Sequence, residues 1–429
     1  MSLMSAGSPP GLSVIIPTYN RREQLHRTLE SLAAQRFGAG EFEVVVSDDG
    51  SSDGTAGLVR SFEGRLRLRY CFQEDRGFRA AAARNAGARL ATAPVLAFLD
   101  SGTLAGPDFV RCHLAAHAAG SRPRVVLGYC FGYQSPGEAP GLTAAIEELE
   151  PTQLVERHGR DQPFLDLRHQ VFERANYDLG NFAAPWCLFW TMNCSVQTRV
   201  FWLAGGFDEG FRGWGGEDLE LGYRLFHVGQ HFVVSRPAWS IELPSQRDLA
   251  ASKAIDESSE RNTLRLLDLH TEPIVELFFA AEPSKDTFLT ESNIAALRSW
   301  TRTASDLDVA AELQDAVAAV PAGASVAIFG CGAAVPSSLA PSVLMDFDSD
   351  LLAKALAGGR SAHTGYHLIG MRTPLDTGSV DVAIITSRLS GIWDRWGDLV
   401  LAEARRIGRQ VRLLDRLGQC QPEPQRKSR

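Results

Sequence analysis

The chain of 429 residues has little cysteine, no surplus of positive charge and no long hydrophobic run. Its seven cysteines are scattered and odd in number, and no two are spaced as CxxC. That argues against a disulfide framework or a zinc site, and a reducing cytoplasm is the expected compartment. No run of about 18 apolar residues occurs, so no membrane span is expected. The opening segment, MSLMSAGSPPGL, lacks a charged region followed by an apolar stretch, so no signal peptide is expected either. Lys and Arg number 43 against 51 Asp and Glu, a net charge of −8. Gripping nucleic acid calls for a basic face, so no nucleic-acid partner is expected.

What is present is a regular alternation. Short apolar runs rich in β-branched residues fall at 12–16, 42–47, 66–71 and 94–99, and helical patterns separate them. This predicts an α/β architecture with a parallel sheet and helices on both faces, whose ligands sit at the carboxyl ends of the strands. Residues 120–190 break the pattern and read as an insertion, and regularity returns at 191–235. The length suggests more than one domain. The expected division is a first domain over 1–282, a helical connection over 283–320, a smaller Rossmann-like α/β domain over 321–416 and a disordered tail over 417–429.

Three polar segments follow the strands of the first domain: Pro17-Thr18-Tyr19-Asn20, Ser47-Asp48-Asp49-Gly50-Ser51, and Asp100-Ser101-Gly102. A carboxylate can accept the N3–H of uracil, and Tyr19 can stack on a base. Equally, Asp48 and Ser51 can cap the next helix while Gly50 makes the turn. A second stretch, Gly213-Trp214-Gly215-Gly216-Glu217-Asp218, joins a glycine loop to a helical pattern. Glycines allow a tight loop, and Trp214 offers a flat face to a sugar ring. Glu217 and Asp218 would be favoured at a helix N-terminus on electrostatic grounds alone. His113 and His117 share a helix face four residues apart. No nearby Glu completes a metal motif, and a helix face near the substrate is the plainer reading.

LSVIIPTYNR, VVVSDDGSSDGT, AAAARNAGA and APVLAFLDSG, in that order, resemble the successive motifs of glycosyltransferase family 2, which has the GT-A fold. The resemblance implies that Pro17, Tyr19 and Asp49 hold uracil with Asp48 beside them. It implies that Arg84 reaches the nucleotide or its phosphates, with Arg79 and Arg76 as further candidates. The stretch GWGGED-x-E-x-GYRL is similar to the acceptor motif of chondroitin-polymerase-like enzymes and animal β-1,4-galactosyltransferases. By that similarity Asp218 is the general base and Glu217 positions a sugar, while Asn193, Trp214, Gly215 and Gly216 line the sugar and acceptor site. Residues 120–190 then form the acceptor side.

One departure bears on the chemistry. The family carries Asp-X-Asp after the fourth strand, where a Mn²⁺ or Mg²⁺ ion bridges the diphosphate. Here Gly102 stands in place of the second aspartate. Three readings are open: Asp100 holds the metal with the diphosphate, arginines replace part of the metal's role, or activity has been lost. Glu242 is a candidate to supply the missing carboxylate. In the C-terminal region, Val326-Ala327-Ile328-Phe329 followed by Gly330-Cys331-Gly332, and then Val343-Leu344-Met345-Asp346, resembles a class I S-adenosylmethionine-dependent methyltransferase. The resemblance puts Gly330 and Gly332 against the cofactor and Asp346 on its ribose. The prolines of AAVPSSLAP stand where a first helix belongs, which favours a degenerate scaffolding or dimerisation module without S-adenosylmethionine, and a homodimer is a candidate assembly. The expected activity is inverting transfer from a UDP-sugar to a hydroxyl or thiol of a small-molecule, saccharide or peptide acceptor, in secondary metabolism. The alternatives are a non-catalytic nucleotide-sugar-binding protein and a bifunctional glycosyltransferase/methyltransferase.

Overall fold

The structure is a computed structural model and describes residues 9–38, 41–120, 122–132, 144–145, 148–243, 249–279, 287–358 and 362–414. The expected tail over 417–429 lies outside the described residues.

The apolar runs become strands because one face of each can be buried at once. In β1 (Leu12–Thr18) and β2 (Phe42–Asp48), Val14, Ile16, Val44 and Val46 share a core with Leu25, Leu29 and Leu32 of the helix Arg22–Ala33. On the opposite face, the alanine-rich helix Ala80–Leu90 comes in close. A Cβ at Gly87 would stand 2.6 Å from Ser47 Oγ and 2.7 Å from Ile15 Cγ2, so the small residue is what lets this helix approach the sheet. Strands β3 (Leu68–Phe72) and β4 (Val95–Leu99) complete a parallel set in the order β3-β2-β1-β4.

The four strands read as a parallel sheet are parallel, and beyond β4 the sheet continues with antiparallel pairs. Strand β7 (Asn193–Gln197) runs antiparallel to β4 and to β6 (Arg124–Phe131). Next come β8 (His231–Glu242), parallel to β6, and β5 (Thr103–Ala105), antiparallel to β8 at the sheet edge. A parallel neighbour needs a compact helical crossover. The chain between β6 and β7 supplies instead short helices at Pro151–His158 and His169–Arg174, joined by irregular segments. The result still places the ends of β1, β2 and β4 side by side, with Tyr19, Asp48, Asp49 and Asp100 at one rim.

Two compact units are present, Met1–Asn262 and Thr263–Arg429. The segment that follows Asn262 is anchored in the second unit. Glu276, in the helix Pro273–Phe279, is fully buried, and its carboxylate accepts from the amides of Ile369, Gly370, Met371 and Arg372. The second unit carries a parallel sheet in the order β11-β10-β9-β12-β13, formed by Thr364–Tyr366, Val343–Met345, Val326–Phe329, Val380–Ile385 and Gly408–Leu413. No described helix is long and apolar enough to cross a membrane.

On the helix Phe109–Ala118, His113 is fully buried and His117 half-buried, and both rings turn to Ser195. His113 Nδ1 meets Ser195 Oγ at 2.8 Å and its Nε2 meets Asn193 Oδ1 at 3.0 Å, while His117 Nε2 meets Ser195 Oγ at 2.9 Å. Burial pushes His113 down to about 3 and His117 down to about 4. In the unfolded chain both rings titrate near about 6.5. Between these values the unfolded state binds more protons, so stability falls as pH drops below about 6.5. At pH 5 the pair should remove roughly 4 kcal/mol relative to neutral pH. Urea unfolding at pH 7.5 and pH 5 measures this, and His117→Gln should abolish about half of the difference.

Candidate active site

The nucleotide rim is built from short-range geometry. Asp48 closes β2 and accepts from the amides of Gly50 at 3.1 Å and Ser51 at 2.7 Å, and from the Tyr70 hydroxyl at 2.7 Å. Its oxygens thus shape the turn. Asp49 is 5% exposed and accepts from Gln73 Nε2 at 2.5 Å, the Arg79 amide at 2.8 Å and Arg79 Nη2 at 3.1 Å. Arg79 therefore braces the carboxylate that the resemblance assigns to uracil, while Arg76 pairs with Glu74 in solvent. Tyr19 remains 42% exposed, its hydroxyl donating to Asp75 at 2.8 Å. Gly50 has φ +101°, and a Cβ there would sit 2.5 Å from the Asp75 amide nitrogen. Only glycine lets the two loops close on one another. Pro17 lies inside β1, in register with Ser47.

The second group assembles at the end of β4. The helix Glu217–His227 begins after Gly216, whose φ of +93° is open to glycine at little cost. The loop before it is pinned by a residue far along the chain: Asn262 Nδ2 donates to the carbonyls of Trp214 at 3.3 Å and Gly215 at 2.7 Å. Ser258 Oγ accepts the Trp214 amide at 3.0 Å, and the Gly213 amide donates to the Phe78 carbonyl at 3.1 Å. Trp214 is left 38% exposed.

Arg84 links the two groups. It is 5% exposed and donates 2.9 Å bonds to Glu217 Oε1 and to Asp100 Oδ1. Its burial opposes the charge, but the Asp100 and Glu217 carboxylates outweigh that and hold the guanidinium protonated. The resemblance implies that this arginine reaches the nucleotide or its phosphates; in the structure it bridges two carboxylates. Glu217 Oε2 is buried and has no hydrogen-bond partner among the described residues. Asp218, partly exposed, accepts its neighbouring Leu219 amide at 2.8 Å and no other hydrogen bond among the described residues. Its packed surroundings, with the Glu217 charge adding to them, push its carboxyl up to about 7. One acidic group poised near neutrality thus sits beside an arginine-bound pair, the distribution that acid–base chemistry at pH 7 uses.

Asn193 is not brought into the opening. It is fully buried, and its Nδ2 donates to the Ala238 carbonyl at 3.0 Å and Ser240 Oγ at 2.9 Å, with His113 on its Oδ1. Its position in β7, opposite Leu99, commits its side chain to the sheet interior. Asp346 is likewise fully buried and held by Arg388, and does not face a cofactor. Sequence reasoning missed Gln73, Asp75 and Asn262. Nothing in the local pattern marks them, since each acts on a loop from a different element.

A divalent cation would meet one suitable side chain at the rim, the Asp100 carboxylate, 39% exposed. Gly102 contributes none, and its carbonyl accepts the Leu243 amide at 2.8 Å. Glu242 ends β8 in register with Thr103, next to this loop. Among the described residues no group of three or more His, Cys, Asp or Glu side chains could hold a metal. The residues fit a cation bridged by a diphosphate and not a cage made by the protein alone.

Comparison with known proteins settles the family. The chain is 42% identical over 409 residues to validoxylamine A glucosyltransferase of Streptomyces hygroscopicus subsp. jinggangensis, covering 94% of this chain and 96% of that protein. The model of glycosyl transferase family 2 matches residues 13–163. The chain belongs to glycosyl transferase family 2. The N-terminal domain of galactosyltransferase matches residues 181–244 of this family 2 glycosyltransferase. It is also 33% identical over 257 residues to chondroitin synthase of Escherichia coli, covering 57% of this chain and 37% of that protein. Among solved structures, a mannosyltransferase from Pyrobaculum calidifontis in complex with GDP-Man and Mn²⁺ aligns with TM-score 0.44 at 20% identity, over 72% of this chain and 80% of that one.

Removing the bridge should expose its electrostatic role. Arg84→Met leaves Glu217 buried without its cation, which costs about 3–5 kcal/mol. The loss should be largest near pH 8 and shrink toward pH 5, because protonation relieves an unpaired buried carboxylate. Urea unfolding of both proteins at the two pH values reads the effect.

Proposed function

We propose that this glycosyltransferase moves a glucosyl group from a UDP-sugar, with inversion, to a hydroxyl of a small-molecule acceptor. The observation that carries the reading is Asp218, a carboxyl pushed up to about 7 that lies beside the Arg84-bridged pair of Glu217 and Asp100. The choice of sugar and acceptor class leans on the relative named for glucosyl transfer to validoxylamine A.

Asp49, braced by Gln73 and Arg79, accepts the uracil N3–H, and Tyr19 covers the base. The acceptor ring rests against Trp214. Asp218 takes the acceptor hydroxyl proton as that oxygen bonds to the anomeric carbon. The bond from the anomeric carbon to the diphosphate oxygen breaks, and UDP leaves with its electron pair. Glu217, fixed by Arg84, holds an acceptor or donor hydroxyl on its Oε2. Asp100, together with the diphosphate, would hold a divalent cation, which would supply neutralising charge to the leaving group. Glu242 is the candidate for a second protein ligand.

UDP release from a panel of UDP-sugars, with Mn²⁺ and with EDTA, tests the donor. UDP-glucose should be turned over, and an α-linked donor should yield a β-linked product by NMR. Asp218→Asn should lower kcat by about 10²–10⁴-fold with little change in UDP affinity. Because the base works ionised, kcat/KM should rise with pH through about 7. A flat profile between pH 5.5 and 8.5 would remove Asp218 from that role.

A further inference from the structure

The second unit has the form of a nucleoside-binding sheet with its binding place filled. In the order β11-β10-β9-β12-β13, the direction of winding reverses between β9 and β12. In open parallel sheets a cofactor lies in the crevice at that reversal, outside the carboxyl ends of the strands. Three segments converge there: Gly330-Cys331-Gly332 after β9, Asp346 after β10, and Thr386-Ser387-Arg388 after β12.

Their side chains bond to one another. Asp346 and Arg388 are both fully buried. Asp346 accepts from Arg388 Nε at 2.9 Å, Arg388 Nη2 at 3.2 Å, the Gly332 amide at 2.8 Å and the Asp348 amide at 2.9 Å. Arg388 Nη1 donates to the carbonyls of Ala304 at 2.7 Å and Leu307 at 3.3 Å, and its guanidinium lies 4.9 Å from the Phe347 ring centroid. The glycine turn, whose purpose in a binding site is to let a ligand approach the backbone, is approached by the same arginine. A Cβ at Gly332 would lie 3.3 Å from Arg388 Cδ, and one at Gly330 would lie 3.1 Å from Arg388 Cβ and 2.8 Å from Thr386 Oγ1.

We infer that Arg388 occupies the cofactor place of this unit, so that neither S-adenosylmethionine nor another adenosine cofactor binds there. A ribose could reach Asp346 only by displacing a guanidinium whose charge is matched by that carboxylate and by two carbonyls. Removing one member of such a buried pair leaves an uncompensated charge, so the closed arrangement is strongly favoured over an opened one. The unit is then a scaffold, and the chain carries out glycosyl transfer without methylation. This inference is independent of the donor, acceptor and base assigned to the first unit.

Equilibrium dialysis of the full chain against radiolabelled S-adenosylmethionine, and separately NAD⁺, tests it. No saturable binding is expected up to about 1 mM, and saturation by either ligand below that concentration overturns the inference. Thermal unfolding gives a second reading. Arg388→Met should lower Tm, and adding Asp346→Leu should restore part of the loss, since the second change removes the stranded carboxylate. A single variant whose Tm stays within about 1 °C of the parent would show that the pair does not close the crevice.

Discussion

The buried guanidinium of Arg84 is the constraint on which the active site depends. Three acidic groups, Asp100, Glu217 and Asp218, converge from the end of β4 and from the start of the helix Glu217–His227, and without a cation they would repel. Arg84 arrives from the helix Ala80–Leu90, which can approach the sheet because its contact residues are alanine and glycine. The small side chains and the ion bridge are therefore two parts of one arrangement. The helix must lie close for the arginine to reach both carboxylates, and the arginine fixes where the loop after β4 meets the loop before the helix Glu217–His227.

This bridge also divides labour among the acids. Arg84 bonds Glu217 and Asp100 directly and leaves Asp218 with a single backbone donor among the described residues. A carboxylate that accepts a charged donor is a poor proton acceptor, whereas one left among packed neighbours and beside a like charge is a better one. The asymmetry between adjacent residues follows from which of them the arginine can reach. The glycines before the helix contribute by positive φ, and Asn262 holds their carbonyls from outside the loop.

Much of this was legible in the sequence, and unevenly. The β-strand runs and the glycine-rich loop announced themselves because their signals are local: alternation, a turn residue, a change of period. The first four strands fall within two residues of expectation, since Val14, Ile16, Val44 and Val46 need only a shared face to become strands. The antiparallel half was not legible, because residues 120–190 carry no period and the direction of β7 is set by partners remote in sequence. The same limit applies to side chains whose surroundings are set from remote positions. Arg84 and Asn193 stand in family-like motifs, but whether each faces the opening or the interior depends on Glu217 in the one case and on His113 and Ser240 in the other.

The two units show how far a motif can be separated from its chemistry. In the first, an acid after a strand and a glycine turn leave Asp100 partly open to solvent, with charge still available to a ligand. In the second, an acid after a strand and a glycine turn enclose Asp346 completely, with Arg388 consuming its charge. The sequence signature is of one kind in both places. Both carboxylates have an arginine partner, and what distinguishes a site from a core is the face left open: Asp100, paired with Arg84, stays 39% exposed, whereas Asp346, paired with Arg388, is fully buried. For Asp346 that partner follows β12, a strand that any reading of the glycine turn alone would have ignored. The fold that brings Arg388 to the crevice gives stability to the second unit and withholds a binding place from it by the same contact.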